Sequence, residues 1–256
     1  MKDRPFVLTI AGFDPSSGAG LTADIKTFEA LKVYGLSVCT TNTIQNDIDF
    51  IACHWVDIKV IKTQIEILFS RFEIDFVKIG IVKDWQVLNT IINVLFEKNP
   101  DIKIVLDPVL KSSSGFDFRK PNSDAKQKFK IQFEEILNKV YLLTPNFQEI
   151  EKLFPEKSIA ETIKHISSKT NILLKGGHRE NQIGVDELFV QNDNHFMLNP
   201  NGKNISEKHG SGCILSSAIT AYLALGFPIL KACYRGKRYT EKVLSSNKTL
   251  LGYHRI

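Results

Sequence analysis

Cysteine is scarce in this chain. Its 256 residues hold four, Cys39, Cys53, Cys213 and Cys233, and no two stand at metal-ligand spacing. That excludes a disulfide framework and a zinc module, and it points to a reducing, cytoplasmic setting. Long apolar runs are missing too: no stretch approaches the roughly 18 apolar residues of a membrane span. Met1 to Pro5 leads straight into a strand-like segment, without the apolar core and cleavage site of a secretory leader. Charge of one sign is not in large excess. The 33 basic and 28 acidic residues leave +5, spread along the chain. Such a mild excess suits a small anionic ligand rather than a nucleic acid. The basic cluster Lys231 to Arg238, with Glu241 close by, reads as a solvated helix face. Internal repeats, low-complexity tracts and linkers are absent, so residues 1–256 read as one domain. A Walker A sequence is also absent, which disfavours a P-loop phosphotransferase.

What is present is an alternation. Short apolar runs read as strands over Phe6–Ala11, Leu36–Ile44, Phe76–Val82, Lys103–Val109, Val140–Thr144 and Asn171–Lys175. Between them, helical periodicity runs from Leu21 to Leu31, closed near Gly35, and over Asp57–Phe72, Trp85–Glu97, Asp124–Asn138, Asn146–Phe154 and Ile159–Ser168. Asp186–Val190 and His195–Leu198 form a predicted hairpin. A helix follows over Cys213–Leu225, stopped by Gly226 with Pro228 beyond, and the last helix starts at Ile229. Near-continuous apolar strands separated by helices indicate an α/β fold: a mostly parallel sheet covered on both faces. Loops Lys111–Asp124 and Asn199–Glu207 are the most irregular segments.

In open α/β sheets ligands lie beyond the carboxyl ends of the strands, so the residues there carry the chemistry. Lys208-His209-Gly210-Ser211-Gly212-Cys213 opens an apolar helix. Free N–H groups and the helix dipole attract phosphate at such a point, and the same field favours a thiolate, which predicts an acidic Cys213. A phosphate site beside a base suggests phosphoryl transfer; the competing reading is a glycine-rich helix start with a buried structural cysteine. Gly18-Ala19-Gly20-Leu21-Thr22-Ala23 fits a dinucleotide fingerprint. Its first glycine stands too far from the strand, however, and Gln45-Asn46 replaces the acidic ribose anchor. The Gln45 and Asn46 amides suit a neutral nitrogen heterocycle, or simply a solvated loop. Asp107, before Pro108 and Val109, stands where a carboxylate could hold Mg²⁺. Thr144-Pro145-Asn146 precedes Glu149, which fits either a capping box or work on Mg²⁺. Lys175-Gly176-Gly177-His178 suits a triphosphate or its leaving group.

Taken in order, these segments resemble the ribokinase-like superfamily. Within it the chain is similar to the hydroxymethylpyrimidine/phosphomethylpyrimidine kinases of thiamine biosynthesis. The matching segments are Leu8–Gly20, Gln45-Asn46, Val77–Gly80, Leu106–Val109, Leu143–Asn146, Leu173–His178 and His209–Cys213. The cysteine that ends the last motif separates these kinases from superfamily sugar kinases, which usually carry aspartate there. The resemblance implies a three-layer α/β/α sandwich and ATP- and Mg²⁺-dependent phosphorylation of 4-amino-5-hydroxymethyl-2-methylpyrimidine, then of its monophosphate. By position it implies that Gly12, Asp24, Gln45, Ile81 and Val109 meet the pyrimidine. Cys213 would be the base, with Gly210, Ser211 and Gly212 as anion hole. Lys175, Gly177 and Thr144 would meet the nucleotide, and Asp107 and Glu149 the Mg²⁺. A homodimer is implied by the family alone.

The chain departs from the family pattern at Ser211 for threonine, at Ile81 for methionine, in the loop Lys111 to Gly115, and after Gly226, where it matches poorly and looks short. Three other readings are open: a pyridoxal kinase, a non-catalytic pyrimidine sensor, and a nicotinamide oxidoreductase.

Overall fold

The computed structural model describes residues 3–109, 132–177, 183–191 and 194–254. The predicted loop Lys111–Asp124, the first part of the helix expected from Asp124, and His178 lie outside the described residues. Among the described residues nine strands are present: β1 Phe6–Phe13, β2 Tyr34–Gln45, β3 Phe50–Trp55, β4 Ile74–Ile79, β5 Lys103–Leu106, β6 Leu142–Leu143, β7 Asn171–Leu174, β8 Asp186–Val190 and β9 Asn194–Leu198. The helices are α1 Gly20–Ala30, α2 Ile58–Phe69, α3 Trp85–Lys98, α4 over 132–137, α5 Phe147–Leu153, α6 Ile159–Ser167, α7 Ser211–Ala224 and α8 Ile229–Leu244.

The strands form one sheet in the order β3-β2-β1-β4-β5-β6-β7-β8-β9. The six strands from β2 to β7 are parallel, and β3, β8 and β9 add antiparallel flanks. Strand order reverses beside β1, since β2 follows on one side and β4 on the other. A crevice opens at such a switch point, beyond the strands' carboxyl ends.

Alternation along each strand divides the core. Ile104, Leu106, Leu143, Ile172 and Leu174 face one layer with α2 to α6, while Val105, Leu142 and Leu173 pack on Leu215, Ile219 and Leu223 of α7 and Cys233 of α8. Both faces are therefore dry, which is why the parallel strands read as unbroken apolar runs. Side-chain caps start the first layer's helices: Asp57, Asp84, Asn146 and Ser158 each accept a backbone N–H of the first turn. No helix among the described residues is long and apolar enough to cross a membrane.

Two expectations change. The edge strand β3 was not read from the sequence, because Phe50–Trp55 is only partly buried and its apolar residues do not alternate cleanly. The basic cluster at Lys231–Arg238 is not uniformly solvated: Lys231 and Arg235 are exposed, but Lys237 is buried, its ammonium donating to Asp186 Oδ2 at 2.8 Å.

Candidate functional site

Backbone approach brings the ends of β1, β2 and β4 together. A methyl group on Gly12 would lie 2.9 Å from Ile81 Cγ2 and 2.9 Å from Thr41 Cγ2, so two predicted substrate residues, Gly12 and Ile81, share a wall. Gln45 ends β2 and is half-buried, its Nε2 donating to Thr43 Oγ1 at 2.8 Å, while Thr43 donates to Phe13 O at 2.8 Å. Among the described residues no donor meets the Gln45 carboxamide oxygen. Val109 is half-buried two residues beyond Asp107, with its N–H donating to Asp107 O.

The second cluster lies past β5, β6 and β7. Lys175 Nζ donates to Asp107 Oδ1 at 2.8 Å and stands 3.8 Å from Glu149 Oε2. Burial pulls this ammonium down, but Asp107 and Glu149 outweigh it and hold its pKa raised. Gly212 closes the group: a methyl group there would sit 3.3 Å from Lys175 Nζ and 3.7 Å from Asp107 Oδ2. The start of α7 thus abuts the lysine and the carboxylate with only a hydrogen in between. The Lys175 loop is braced from behind. Gly176 N–H donates to Asp186 Oδ1 at 2.9 Å, and Lys237 holds Asp186 and Gly184 O. Gly177 faces open space.

Two assignments in this cluster are corrected or divided. Thr144 is fully buried, its hydroxyl donating to Asp107 Oδ1 at 3.2 Å, so it positions the carboxylate and does not reach a nucleotide. Glu149 forms the capping box: its Oε2 accepts Asn146 N–H, and Asn146 Oδ1 accepts Glu149 N–H, both at 2.8 Å. Its carboxylate also stands 3.8 Å from the Lys175 ammonium, so the capping reading is the one the geometry shows.

At the third cluster α7 begins. Gly210 is the cap residue at φ 75°, and a side chain there would collide with Gly18 O, so glycine is required twice over. Ser211, Gly212 and Cys213 follow, each half-buried. The expected acidic thiol is not found. Burial pushes Cys213 up to about 11; Lys78 and the Gly20 N–H pull it down, while Asp24 and Asp107 push it up. Loss of water and two nearby carboxylates outweigh the helix terminus. Cys213 is therefore a protonated thiol at neutral pH in the ligand-free protein.

Asp24 is a second correction. It has no exposed surface, and its carboxylate accepts from Thr9 Oγ1 at 2.6 Å, Lys78 Nζ at 2.8 Å and Ser217 Oγ at 2.5 Å. Such a carboxylate ties β1, α1, β4 and α7 together beneath the thiol and cannot touch a substrate. Lys78, equally buried, was quoted in the sequence without a role. Burial pulls its ammonium down, but Asp24 chiefly, with Cys213 and Asp107 behind it, leaves it raised. The signal was legible: a lysine inside the apolar run Phe76–Ile79 of a central strand needs a buried partner. His209 and Asp14 were also passed over, and they form a buried pair at 2.9 Å.

Comparison with known proteins identifies the family. The sequence model of the phosphomethylpyrimidine kinase family matches residues 14–255. The match runs through the C-terminal part beyond Gly226, the segment expected to match poorly. A hydroxymethylpyrimidine/phosphomethylpyrimidine kinase of Rhizobium meliloti is 34% identical over 250 residues, 93% of this chain and 90% of that protein. A bifunctional thiamine biosynthesis protein of Methanocaldococcus jannaschii is 30% identical over 249 residues, and the chain covers only 55% of its length. Among solved structures, a phosphomethylpyrimidine kinase of Clostridium difficile is 35% identical with a TM-score of 0.76, covering 93% of this chain and 99% of that one. A pyridoxal kinase of Staphylococcus aureus is 25% identical with a TM-score of 0.81, covering 99% and 94%.

Proposed function

The chain belongs to the phosphomethylpyrimidine kinase family, with the ribokinase-like fold, and from that premise we propose that it phosphorylates 4-amino-5-hydroxymethyl-2-methylpyrimidine and then its monophosphate. ATP is the phosphoryl donor in this reading. The observation that carries it is the placement of Gly212: the mouth of α7 opens within contact distance of Lys175 and Asp107, and Cys213 follows in the chain. An anion hole, a fixed cation, a carboxylate and a thiol thus converge on one point beyond the sheet.

In the first step the hydroxymethyl oxygen forms a bond to the γ-phosphorus and the bond from that phosphorus to the β,γ-bridging oxygen breaks. The electron pair leaves with ADP, and the hydroxyl proton passes to Cys213 in its thiolate form, the minor fraction at neutral pH. Most of the catalysis in such a transfer is alignment and charge neutralisation. The Gly210–Cys213 amides bind charge on the moving group, and Lys175 binds phosphate oxygens. Asp107 and Glu149 would hold Mg²⁺. They fit it: Asp107 Oδ2 has only a 3.5 Å contact from Ser216 Oγ, and Mg²⁺ characteristically takes one or two carboxylates and completes its shell with phosphate and water. When bound it supplies further neutralisation of phosphate charge. Gly12, Ile81, Val109 and Gln45 form the pyrimidine's surroundings, with the Gln45 carboxamide reading ring nitrogen or amino hydrogens.

Steady-state phosphorylation of both acceptors tests this. Cys213→Ala should lose about 10²–10⁴-fold on the alcohol, the size of a positioned base. The loss on the monophosphate should be smaller, since its attacking oxygen carries no proton at neutral pH. Near wild-type turnover of the alcohol would remove the base assignment. Overlap with the pyridoxal kinase favours one second reading, pyridoxal as acceptor, and competition between the two alcohols decides it.

A further inference from the structure

Each side of the site has a brace behind it. On the thiol side the chain's end closes the His209 turn, whose N–H donates to Leu250 O at 2.9 Å. On the lysine side the brace is an ion pair from two outer elements. Lys237 of α8 and Asp186 of β8 are both buried, and the ammonium donates to Asp186 Oδ2 at 2.8 Å. The phosphoryl transfer described above uses neither residue. Desolvation of both ions offsets most of such a pair's attraction, so its net contribution to folding is small. What the pair holds in place matters more.

It holds the turn that carries Lys175. Strand β7 ends at Leu174, paired with Glu187 of β8. The Lys175 N–H still finds a backbone partner, Pro145 O at 2.8 Å. One residue on, a side chain takes over: the Gly176 N–H donates to Asp186 Oδ1 at 2.9 Å. Gly176 O accepts the Gly184 N–H at 2.9 Å, and Gly184 O in turn accepts the Lys237 ammonium. The two backbones meet closely here, since a methyl group on Gly176 would lie 1.8 Å from Val185 O. Both ends of the connection between β7 and β8 are thus tied to one ammonium, through Gly184 O on one side and through Asp186 on the other. The two oxygens of Asp186 divide the work: Oδ2 takes the lysine, and Oδ1 takes the peptide next to Lys175. Bonds to an ionised acceptor are the stiff ones, so this turn has little freedom while the pair is intact.

We propose that Lys237 and Asp186 are positioning residues for nucleotide binding: acting as one unit, they fix the Gly176 peptide and with it the aim of the Lys175 ammonium. The inference deepens the reading of Lys175 as the cation that meets the nucleotide's phosphates, and it rests on that reading. It implies that nucleotide affinity is set in part from the outer helix layer, separately from the acceptor's surroundings at Gly12, Ile81 and Gln45.

Titration calorimetry on the full chain tests it, with ADP and Mg²⁺ in one series and the pyrimidine alcohol in another. Lys237→Met should raise the Kd for ADP about three- to thirtyfold, the range for a residue coupled to a site through a bonded network. The Kd for the alcohol should stay within about twofold, because no link of the chain reaches its pocket. Asp186→Ala removes the acceptor of the Gly176 N–H itself and should weaken ADP at least as much. If the two act as one unit, Lys237→Met combined with Asp186→Ala binds ADP within about twofold of Asp186→Ala alone. In phosphorylation assays KM for ATP should rise alongside the Kd while KM for the alcohol holds. Lys237→Met alone strands a buried carboxylate. Should it fail to fold, the double variant strands neither charge and carries the test against wild type. A folded Lys237→Met or double variant with wild-type ADP affinity overturns the proposal. So do equal losses for ADP and the alcohol, the mark of a merely structural role, and single effects that multiply in the double variant. A wild-type chain that binds ADP, and loses it in these variants, yet phosphorylates neither acceptor would instead sink the proposed function and leave this inference standing.

Discussion

The two sides of the site treat their polar residues differently. Around the thiol, Thr9, Asp24, Lys78 and Ser217 have no exposed surface and bond to one another. Around the lysine, Lys175 keeps 14% of its side chain exposed, and Asp107, though buried, has one oxygen with no short bond. The first group is satisfied within itself; the second leaves one carboxylate oxygen without a short bond and part of the lysine exposed, which supports the proposed roles of Lys175 and Asp107.

The contrast can be broken by experiment. The largest effect should come from Lys78→Met. It strands the Asp24 carboxylate, and breaking a buried pair on one side costs about 3–5 kcal/mol. Urea unfolding measures this, and a loss below about 1 kcal/mol would show that the thiol side is not a closed network. Lys175→Met should do the reverse. Its partners Asp107 and Glu149 are buried but keep other donors, the Thr144 hydroxyl and the Asn146 N–H, and the lysine itself is partly exposed, so the loss of stability should be smaller than for Lys78→Met while KM for ATP rises at least tenfold. Equal destabilisation by the two variants would erase the difference between the sides.

A pH profile sharpens the same point. With Cys213 raised to about 11, the thiolate fraction grows about tenfold per pH unit below that value. Turnover of the alcohol should therefore climb between pH 7 and 9 while turnover of the monophosphate stays flatter. Parallel curves would mean that the thiol takes no proton.

The smallest effect concerns the tail that closes the thiol side. His254 Nδ1 meets Tyr239 OH at 3.0 Å, and burial, with some help from Lys26, lowers its pKa to about 4. The folded protein then binds fewer protons than the unfolded chain between the ordinary 6.5 and about 4. Its contribution is complete above pH 6.5 and is lost as pH falls toward 4. His254→Gln should flatten this part of the urea midpoint against pH. An unchanged slope would assign the acid sensitivity elsewhere.

Much of this was legible in the sequence. The parallel strands and their helices announce themselves because both faces of the sheet are dry, so apolar runs stay unbroken. The positions of Gly12, Lys175, Asp107 and Cys213 at strand ends or a helix start were legible from the order of apolar runs. What escaped depends on distant partners. Asp24 looked like a ligand contact one turn into a helix; only Lys78, 54 residues later, makes it a buried anchor. His209 and Asp14 stand 195 residues apart, and nothing local in either segment predicts their bond. The acidity of Cys213 was misjudged for a similar reason. A helix start is visible in sequence, whereas the desolvation and the two carboxylates that override it are not. The edge strand β3 was missed because a half-wet edge leaves no periodic signature.

Gly236 shows how far the site's geometry extends into the outer layer. It sits in α8 where that helix crosses α7, and a methyl group there would press to 2.6 Å from Ile219 Cγ1 and 3.2 Å from Ile219 N. Alanine would favour an isolated helix by up to about 1 kcal/mol, yet here it would wedge the two helices apart. The next residue, Lys237, is the one whose reach to Asp186 steadies the turn bearing Lys175. The thickness of a single hydrogen atom, remote from the thiol, sets how closely Lys175 is aimed.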